Sequence, residues 1–204
     1  MKKNILHLCA DVGSDSWYYQ NDDNYNVILI GKDIGVENYT PDIPIHGIIA
    51  NPVCTEFSTA SNFNKVGDLE KGMFLVNHCL RIIKESNPKF WILENPFNGR
   101  LKQILGEPKM VYQPWQFGSP WTKKTAIWGE FVKPEIIFKK WEDVPKLDLY
   151  IKPRRNKPGL DCLHKSSIHL IPEFNKFIDV VTNDSDFRSL CSQGFAEAFY
   201  KVNK

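Results

Sequence analysis

The fold is indicated most clearly by one stretch of sequence, His46-Gly47-Ile48-Ile49-Ala50-Asn51-Pro52-Val53-Cys54-Thr55-Glu56-Phe57-Ser58. Its first part is an apolar run of the right length for a buried strand, and the run ends at the Asn51-Pro52 step. Cys54 therefore follows the carboxyl end of a strand, the edge at which open α/β sheets bind ligands and display reactive side chains. The alternative role for Cys54 is that of a small buried residue, since reduced cysteines are among the most buried residues of proteins.

Length and composition favour one α/β domain with an insertion. The chain has 204 residues, which is enough to bury one substantial core. Its 26 Lys and Arg nearly balance its 24 Asp and Glu, so only local charge can indicate a nucleic-acid partner. The five cysteines are an odd number and contain no C-x-x-C pair, which argues against a disulfide framework and against a zinc knuckle. No run approaches the ~18 apolar residues of a membrane helix, so we expect a soluble, cytoplasmic protein.

Six β-prone runs are separated by helical and loop segments. The runs are residues 4–10, 26–30, 46–50, 89–94, 110–113 and 125–128. The clearest helix follows Asp68, a favourable N-cap, because apolar residues recur at three- and four-residue steps as far as Ile83, and Asn87-Pro88 should end it. Shorter helices are expected at 17–19, 99–105 and 172–181 and, with an interruption near Gly194, at 186–202. This alternation predicts a mostly parallel sheet.

Glu94 is the second residue that points to chemistry. It ends the β-prone run that follows the long helix. If that helix makes the usual right-handed crossover, Cys54 and Glu94 reach the same edge of the parallel sheet. A nucleophile and an acid at adjacent strand ends favour a catalytic site more than either residue does alone.

The amino-terminal part of the chain has the order of a cofactor-binding βαβ unit. A polar loop containing Gly13 follows the first strand, and Asp33 follows the second. In such units the first loop approaches a cofactor and the acidic residue accepts hydrogen bonds from ribose hydroxyls. The same order also occurs in ordinary connections.

Local positive charge is concentrated in the second half of the chain. The run 152–157 carries four positive charges and no negative one, and Lys123 and Lys124 lie upstream of it. Such residues are either solvated or contact a phosphodiester backbone.

Taken in order, these elements resemble the DNA (cytosine-5) methyltransferases, in particular the compact phage and bacterial types. The matching residues are Leu8–Gly13, Pro52–Ser58, Glu94–Pro96, Gly118–Pro120 with Lys123 and Thr125, and Gln193–Ala198. The resemblance implies a Rossmann-like class I S-adenosylmethionine-dependent methyltransferase fold, with a mostly parallel sheet and a C-terminal-side hairpin. It also implies a catalytic domain at 1–132 and 184–204 and a small target-recognition insertion at 133–183.

The resemblance assigns roles to individual residues. Cys54 would add to carbon 6 of cytosine, Glu94 would hydrogen-bond N3 and the exocyclic amine, and Asn95 and Lys123 would complete the catalytic group. S-adenosylmethionine would contact Cys9, Ala10, Asp11, Gly13, Ser14, Asp33, Asn51, Pro52 and Gly194. DNA would contact Ser58, Lys123, Lys124, Arg154, Arg155 and Lys157. The implied partner is double-stranded DNA with a flipped cytosine, and we expect a monomer without a metal, acting in a bacterial or phage-infected cell, for example in restriction-modification.

The sequence departs from the family pattern, and alternative functions stay open. Asp11 and Ser14 stand where glycines are usual, and Lys123 and Thr125 stand where two arginines are usual. One alternative is amino (N4 or N6) methylation, because the stretch that starts at Asn51 begins like an Asn-Pro-Pro-aromatic motif. The others are a non-catalytic nucleic-acid-binding relative and an enzyme that modifies cytosine at the nucleotide level.

Overall fold

A computed structural model describes residues 2–10, 12–57 and 67–204 of the chain. The chain forms two compact units. The first comprises Met1–Ala10, Tyr19–Val111 and Thr125–Phe131, and the second comprises Asp11–Tyr18, Tyr112–Lys124 and Val132–Lys204. The division into a catalytic domain and an insertion at 133–183 stays a prediction.

The described residues contain a six-stranded sheet with the order β2-β1-β3-β4-β6-β5. The strands are β1 (Lys3–Leu8), β2 (Tyr25–Ile30), β3 (Gly47–Ala50), β4 (Phe90–Pro96), β5 (Met110–Tyr112) and β6 (Thr125–Glu130). The first four pair in parallel, and β6 runs antiparallel to β4. The predicted strands and the predicted Rossmann-like α/β fold class are therefore confirmed.

The central strands form because their sequences are apolar on both faces. All four residues of β3 are buried, as are the last four residues of β1. Parallel strands covered on both faces read as continuous apolar runs, which is the pattern that marks these two segments in the sequence. Their carboxyl ends are followed by polar residues, so chemistry is confined to one edge of the sheet.

The longest helix, α2 (Leu69–Ser86), connects β3 to β4. The carboxylate of Asp68 caps it by accepting hydrogen bonds from the backbone N–H groups of Glu70 at 3.0 Å and Lys71 at 3.1 Å. Its buried stripe packs into the core of the first unit, and Asn87 ends it in the left-handed conformation with φ +43°. The predicted N-cap and helix end are both confirmed.

The other helices are short. They are α1 (Trp17–Gln20), α3 (Lys102–Leu105), α4 (Asp184–Ser189) and α5 (Gln193–Val202). The predicted helix at 172–181 is a 3-10 helix over Pro172–Phe177. The predicted interruption near Gly194 lies at residues 190–192, and Gly194 itself is inside the first turn of α5. A Cβ atom on Gly194 would lie 1.9 Å from the carbonyl oxygen of Phe117, so close backbone packing explains this glycine.

The second unit has a hydrophobic core of its own. Its buried members include Trp121, Leu160, Ile171, Phe174, Phe177, Phe187 and Leu190. Within residues 2–10, 12–57 and 67–204, no helix has both the length and the hydropathy needed to cross a bilayer.

Replacing Ile48 by alanine should strongly destabilise the first unit. Ile48 lies on β3 and is fully buried, so the variant loses apolar burial and leaves a cavity that costs about 2–5 kcal/mol. Urea denaturation measures the change in the free energy of unfolding. The matched control is Ile34→Ala, because Ile34 is 42% exposed. An equal loss in both variants would contradict the central position of β3.

Candidate active site

Two neighbouring parallel strands lead to Cys54 and Glu94. Ala50, the last residue of β3, pairs with Leu93 of β4, so Asn51 and Glu94 follow side by side. Cys54 lies in the turn after β3, and the backbone N–H of Phe57 donates to the Cys54 carbonyl oxygen at 3.0 Å. Both candidate catalytic side chains are partly exposed. The structure therefore places both residues at the carboxyl edge of β3 and β4 in the first unit.

Asn95 connects these two strand ends. Its side chain is fully buried, and its Nδ2 donates to the carbonyl oxygen of Pro52 at 3.0 Å. That carbonyl is two residues before Cys54, so Asn95 holds the backbone on the N-terminal side of the candidate nucleophile. A buried amide bonded in this way fixes the backbone that leads into the Cys54 turn.

Asn51 is held from β1. Its backbone N–H donates to the carbonyl oxygen of Leu8 at 3.0 Å, and its Oδ1 lies 2.9 Å from Nε2 of the buried His7. With an amide oxygen as acceptor, His7 donates from Nε2. Sequence reasoning assigned no role to His7, because a histidine within an apolar strand does not reveal its partner.

The predicted cofactor residues of the first unit lie at the ends of β1 and β2. Cys9 adopts φ +56°, a conformation that L-residues rarely populate, and directs the chain out of β1. A Cβ atom on Gly31 would lie 3.2 Å from the carbonyl oxygen of Ala10 and 3.1 Å from Oδ1 of Asp33. Because Gly31 has no side chain, the ends of β1 and β2 can lie close together. The exposed Asp33 carboxylate lies beside them.

Cys9 also contacts α2. Its Sγ lies 3.9 Å from the Sγ of the buried Cys79. This contact and burial raise the pKa of the Cys79 thiol, so Cys79 stays protonated near neutral pH.

The predicted cofactor residues of the second unit are brought together by α5. Gly13 adopts φ +73° before the 3-10 helix Ser14–Ser16. Ser14 Oγ accepts a hydrogen bond from the backbone N–H of Cys191 at 3.0 Å, and the Ser14 carbonyl accepts one from Nε2 of Gln193 at 3.1 Å. The loop after β1 is therefore fastened to the start of the helix that contains Gly194.

A buried polar cluster lies next to the same helix end. Ser119 Oγ donates to Oε1 of Glu173 at 2.8 Å and lies 2.6 Å from Oγ of Ser192, the N-cap of α5. Burial raises the pKa of the Glu173 carboxyl. The sequence marked Ser119 as part of a family element without a role, and it offered no signal for Glu173.

The predicted DNA-contacting lysines lie beside the basic run. The backbone N–H of Thr122 donates to the Pro158 carbonyl at 2.9 Å, and Thr122 bridges to Gly159. Lys123 and Lys124 follow Thr122 directly, so the two groups of positive charge are neighbours within the second unit. Lys123 Nζ also donates to the Ser189 carbonyl at 3.4 Å.

The members of the basic run have different surroundings. Arg155 forms two hydrogen bonds with the Asp161 carboxylate, at 2.8 and 2.9 Å, which raise the pKa of Arg155 and lower the pKa of Asp161. Its charge is therefore balanced locally. Arg154 is exposed and adopts φ +70°, whereas Lys157 Nζ lies 5.2 Å from the ring centroids of Trp115 and Trp141.

An open groove of about 410 Å³ lies between the Cys54 turn and α2 in the first unit. It is lined by Val53, Thr55, Glu56, Lys71, Gly72, Phe74 and Leu75. Neither Cys54 nor Glu94 lines it, so it is not the cavity in which those two residues would meet a base.

Two predicted site residues, Asp11 and Ser58, lie outside the described residues. In the part of the chain that the structure describes, no group of three or more His, Cys, Asp or Glu side chains is arranged to hold a metal ion.

Part of the chain matches a known protein family. Residues 15–98 match the family model described as "C-5 cytosine-specific DNA methylase", a range that includes both Cys54 and Glu94. The predicted family is therefore confirmed for this part of the chain.

A curated relative and a solved structure are also similar to the chain. The "Probable DNA (cytosine-5)-methyltransferase" of Frog virus 3 (isolate Goorha) is 32% identical over 129 residues, covering 53% of this chain and 56% of the relative. The chain thus matches little more than half the length of that relative. A candidate DNA modification methyltransferase encoded within an E. coli prophage is 18% identical, with a TM-score of 0.44, covering 63% of this chain and 47% of the other.

Asn95→Ala should destabilise the protein more than loss of an exposed asparagine. The variant leaves the Pro52 carbonyl without its buried donor, which costs about 1–3 kcal/mol. The control is Asn38→Ala, because Asn38 Nδ2 donates to the Ile34 carbonyl at 3.1 Å on the surface. Urea denaturation compares the two, and an equal change in the free energy of unfolding would show that Asn95 does not fasten the turn.

The stability of Glu173→Gln relative to the wild type should increase as pH rises. A carboxyl whose pKa is raised by folding binds its proton more tightly in the folded chain than in the unfolded chain. Its contribution to the stability of the folded chain is therefore complete below the ordinary pKa of 4.5 and is lost as pH rises through the folded pKa. The free energy of unfolding of the wild type, minus that of Glu173→Gln, should therefore fall as pH rises above the ordinary value of 4.5.

Denaturation at several pH values measures this difference. Glu135→Gln removes one exposed carboxylate from the same unit and serves as the control. A constant difference between the wild type and Glu173→Gln would contradict the raised pKa.

Proposed function

We propose that the protein is a DNA (cytosine-5) methyltransferase that acts through a covalent adduct of Cys54. The observation that carries the proposal is the parallel pairing of β3 with β4. Glu94 lies on β4 directly after the Ala50–Leu93 pair, Cys54 lies just beyond the end of β3, and both belong to the stretch that matches the family. A thiol and a carboxyl at one sheet edge suit nucleophilic attack on a ring that must gain a proton or a hydrogen bond as it is attacked.

Cys54 supplies the nucleophile. Its thiolate adds to carbon 6 of cytosine, forming a C–S bond and moving the electron pair of the 5,6 double bond onto carbon 5. Carbon 5 then has enamine character and can accept a methyl group. Loss of the carbon 5 proton to a base re-forms the double bond and expels the thiolate.

Glu94 stabilises the attacked ring. A carboxyl at the end of β4 hydrogen-bonds N3 and the exocyclic amine and presents a proton as negative charge builds on the ring. Asn95 positions the Cys54 turn through the Pro52 carbonyl, so its role is to orient the nucleophile.

The residues at the ends of β1 and β2 fit an adenosine-containing cofactor. The exposed Asp33 carboxylate can accept hydrogen bonds from ribose hydroxyls, and the side-chain-free Gly31 keeps space open beside the Ala10 carbonyl. S-adenosylmethionine would supply the methyl group. Cys9, Ala10, Asn51 and Pro52 are further proposed cofactor contacts of the first unit. Gly13, Ser14 and Gly194 are proposed cofactor contacts of the second unit.

DNA is the proposed partner, with the target cytosine flipped out of the duplex. Lys123, Lys124, Arg154 and Lys157 are the proposed phosphate contacts of the second unit. Arg155 is a weaker candidate than its neighbours, because Asp161 already balances its charge. The proposed target-recognition segment remains 133–183.

Trapping with 5-fluorocytosine tests the mechanism. Fluorine at carbon 5 blocks the final elimination, so the wild type should form a covalent complex with a duplex oligonucleotide carrying this base in the presence of S-adenosylmethionine. Cys54→Ser should form none, and Glu94→Gln should form it more slowly by a factor of ~10²–10⁴, the usual contribution of a positioned acid–base group. Denaturing electrophoresis and peptide mass spectrometry measure the adduct and its site.

Cys162→Ser is the matched control, since Cys162 is another partly exposed thiol. An adduct that persists in Cys54→Ser would refute the assignment of the nucleophile. Mass spectrometry of digested DNA distinguishes 5-methylcytosine from N4-methylcytosine and N6-methyladenine. Calorimetric titration with S-adenosylmethionine distinguishes an enzyme from a non-catalytic relative.

A further inference from the structure

The turn that carries Cys54 is held on its C-terminal side by Arg100. Nη2 of Arg100 donates to the carbonyl oxygens of Glu56 at 2.8 Å and Gly67 at 2.6 Å. The backbone N–H of Arg100 donates to the Phe57 carbonyl at 2.9 Å. Because the N–H of Phe57 donates to the Cys54 carbonyl, one helical turn separates the Arg100 contacts from the candidate nucleophile.

Glycines surround the two residues that Arg100 contacts in this turn. A Cβ atom on Gly67 would lie 2.2 Å from the Glu56 carbonyl oxygen, and one on Gly72 would lie 2.9 Å from the Phe57 ring. One on Gly99 would lie 3.3 Å from the Phe57 carbonyl oxygen. Three different segments therefore approach Glu56 and Phe57 at backbone distance, which leaves this part of the turn little room to move.

The Glu56 side chain adds a contact to α2. Its Oε2 accepts a hydrogen bond from the backbone N–H of Asp68 at 2.9 Å, and its Oε1 lies 3.4 Å from Nζ of Lys71. The turn is thus tied to the start of α2 through a side chain and to the segment after β4 through Arg100.

The contacts of Arg100 are stronger than ordinary backbone bonds. A charged donor forms hydrogen bonds about twice as strong as a neutral one, and one nitrogen here serves two carbonyls that lie eleven residues apart in the chain. Partly burying a guanidinium also costs solvation, so an apolar side chain would be a simpler way to stabilise the fold. The arrangement is explained more directly by a need to fix the backbone of the turn at Glu56 in one geometry.

We propose that Arg100 is a positioning residue for Cys54, an inference that rests on the proposed function. Arg100 fixes the backbone after Cys54, as Asn95 fixes the Pro52 carbonyl before it. The segment from Asn95 to Arg100, at and beyond the end of β4, then aligns the thiolate with carbon 6 of the cytosine. Displacement of a reacting group by about 1 Å can slow a reaction ~10²-fold.

The test is Arg100→Met, which keeps an unbranched side chain and removes the guanidinium that donates both side-chain hydrogen bonds. We expect covalent trapping with 5-fluorocytosine DNA to slow by ~10²-fold at saturating DNA and S-adenosylmethionine, with little change in the KM for either. Arg100→Lys keeps a cationic donor on a shorter side chain and should lie between the wild type and Arg100→Met. A split between rate and KM separates positioning from loss of binding.

Arg81→Met is the matched control. Arg81 is also a partly buried arginine of the first unit, and its Nη2 donates to the carbonyls of Val36 at 3.3 Å and Tyr39 at 2.8 Å. Both methionine variants should lower the melting temperature, but only Arg100→Met should slow trapping. If Arg100→Met does not fold, the comparison of Arg100→Lys with Arg81→Lys provides the same test.

Alkylation provides a second readout that needs no activity. Loosening the turn should raise the rate at which iodoacetamide modifies Cys54 relative to Cys162 of the same molecule, measured by peptide mass spectrometry. General destabilisation would raise both rates together. Trapping within twofold of the wild type, or equal slowing in Arg81→Met, would overturn the role of Arg100.

The two proposals can fail separately. If the wild type forms no adduct, the proposed function fails. The contact between Arg100 and the turn is rejected only if Arg100→Met leaves the alkylation rate of Cys54 relative to Cys162 unchanged. If the wild type forms the adduct and Arg100→Met forms it equally fast, only the role of Arg100 is lost.

Discussion

The parallel pairing of β3 with β4 is the constraint on which the candidate site depends. Ala50 opposite Leu93 sets the register, and this register alone determines which residues leave the sheet together. A shift of one residue would turn every side chain of a strand to the other face, so a buried parallel pair has one acceptable register. β3 is buried throughout and β4 is apolar from Phe90 to Leu93, so the polar residues Asn51 and Glu94 lie toward the carboxyl ends of the two strands.

The site edge is then made rigid by contacts that reach across the sheet. His7 on β1 holds Asn51, Asn95 on β4 holds the Pro52 carbonyl, and Arg100 holds the backbone after Cys54. Asn95 and Arg100 fix main-chain carbonyls of the turn, and His7 fixes the Asn51 side chain. A reactive thiol needs such support because loops without it sample many orientations, and ordering them during a reaction costs entropy.

The second unit uses polar clusters for a similar purpose. Ser14, Ser119 and Glu173 come from three separate segments and all contact residues at the start of α5. Glu173 is costly to bury as an anion, so its position ties the stability of this unit to pH. Segment 133–183 supplies Glu173, so it also supports the helix that contains Gly194.

The sequence alone determined the strands, the long helix with its Asp68 cap, and the order of the polar residues at the strand ends. These features depend on neighbours in the chain, so burial and capping leave a visible local pattern. The tertiary structure decided that Arg100 meets Glu56 and Gly67, that Asn95 meets Pro52, and that Ser119 meets Glu173. It also showed that the break before α5 lies at residues 190–192 and that Gly194 packs against the Phe117 carbonyl. Contacts between distant residues arise only when packing brings their elements together, so no local pattern in one sequence records them.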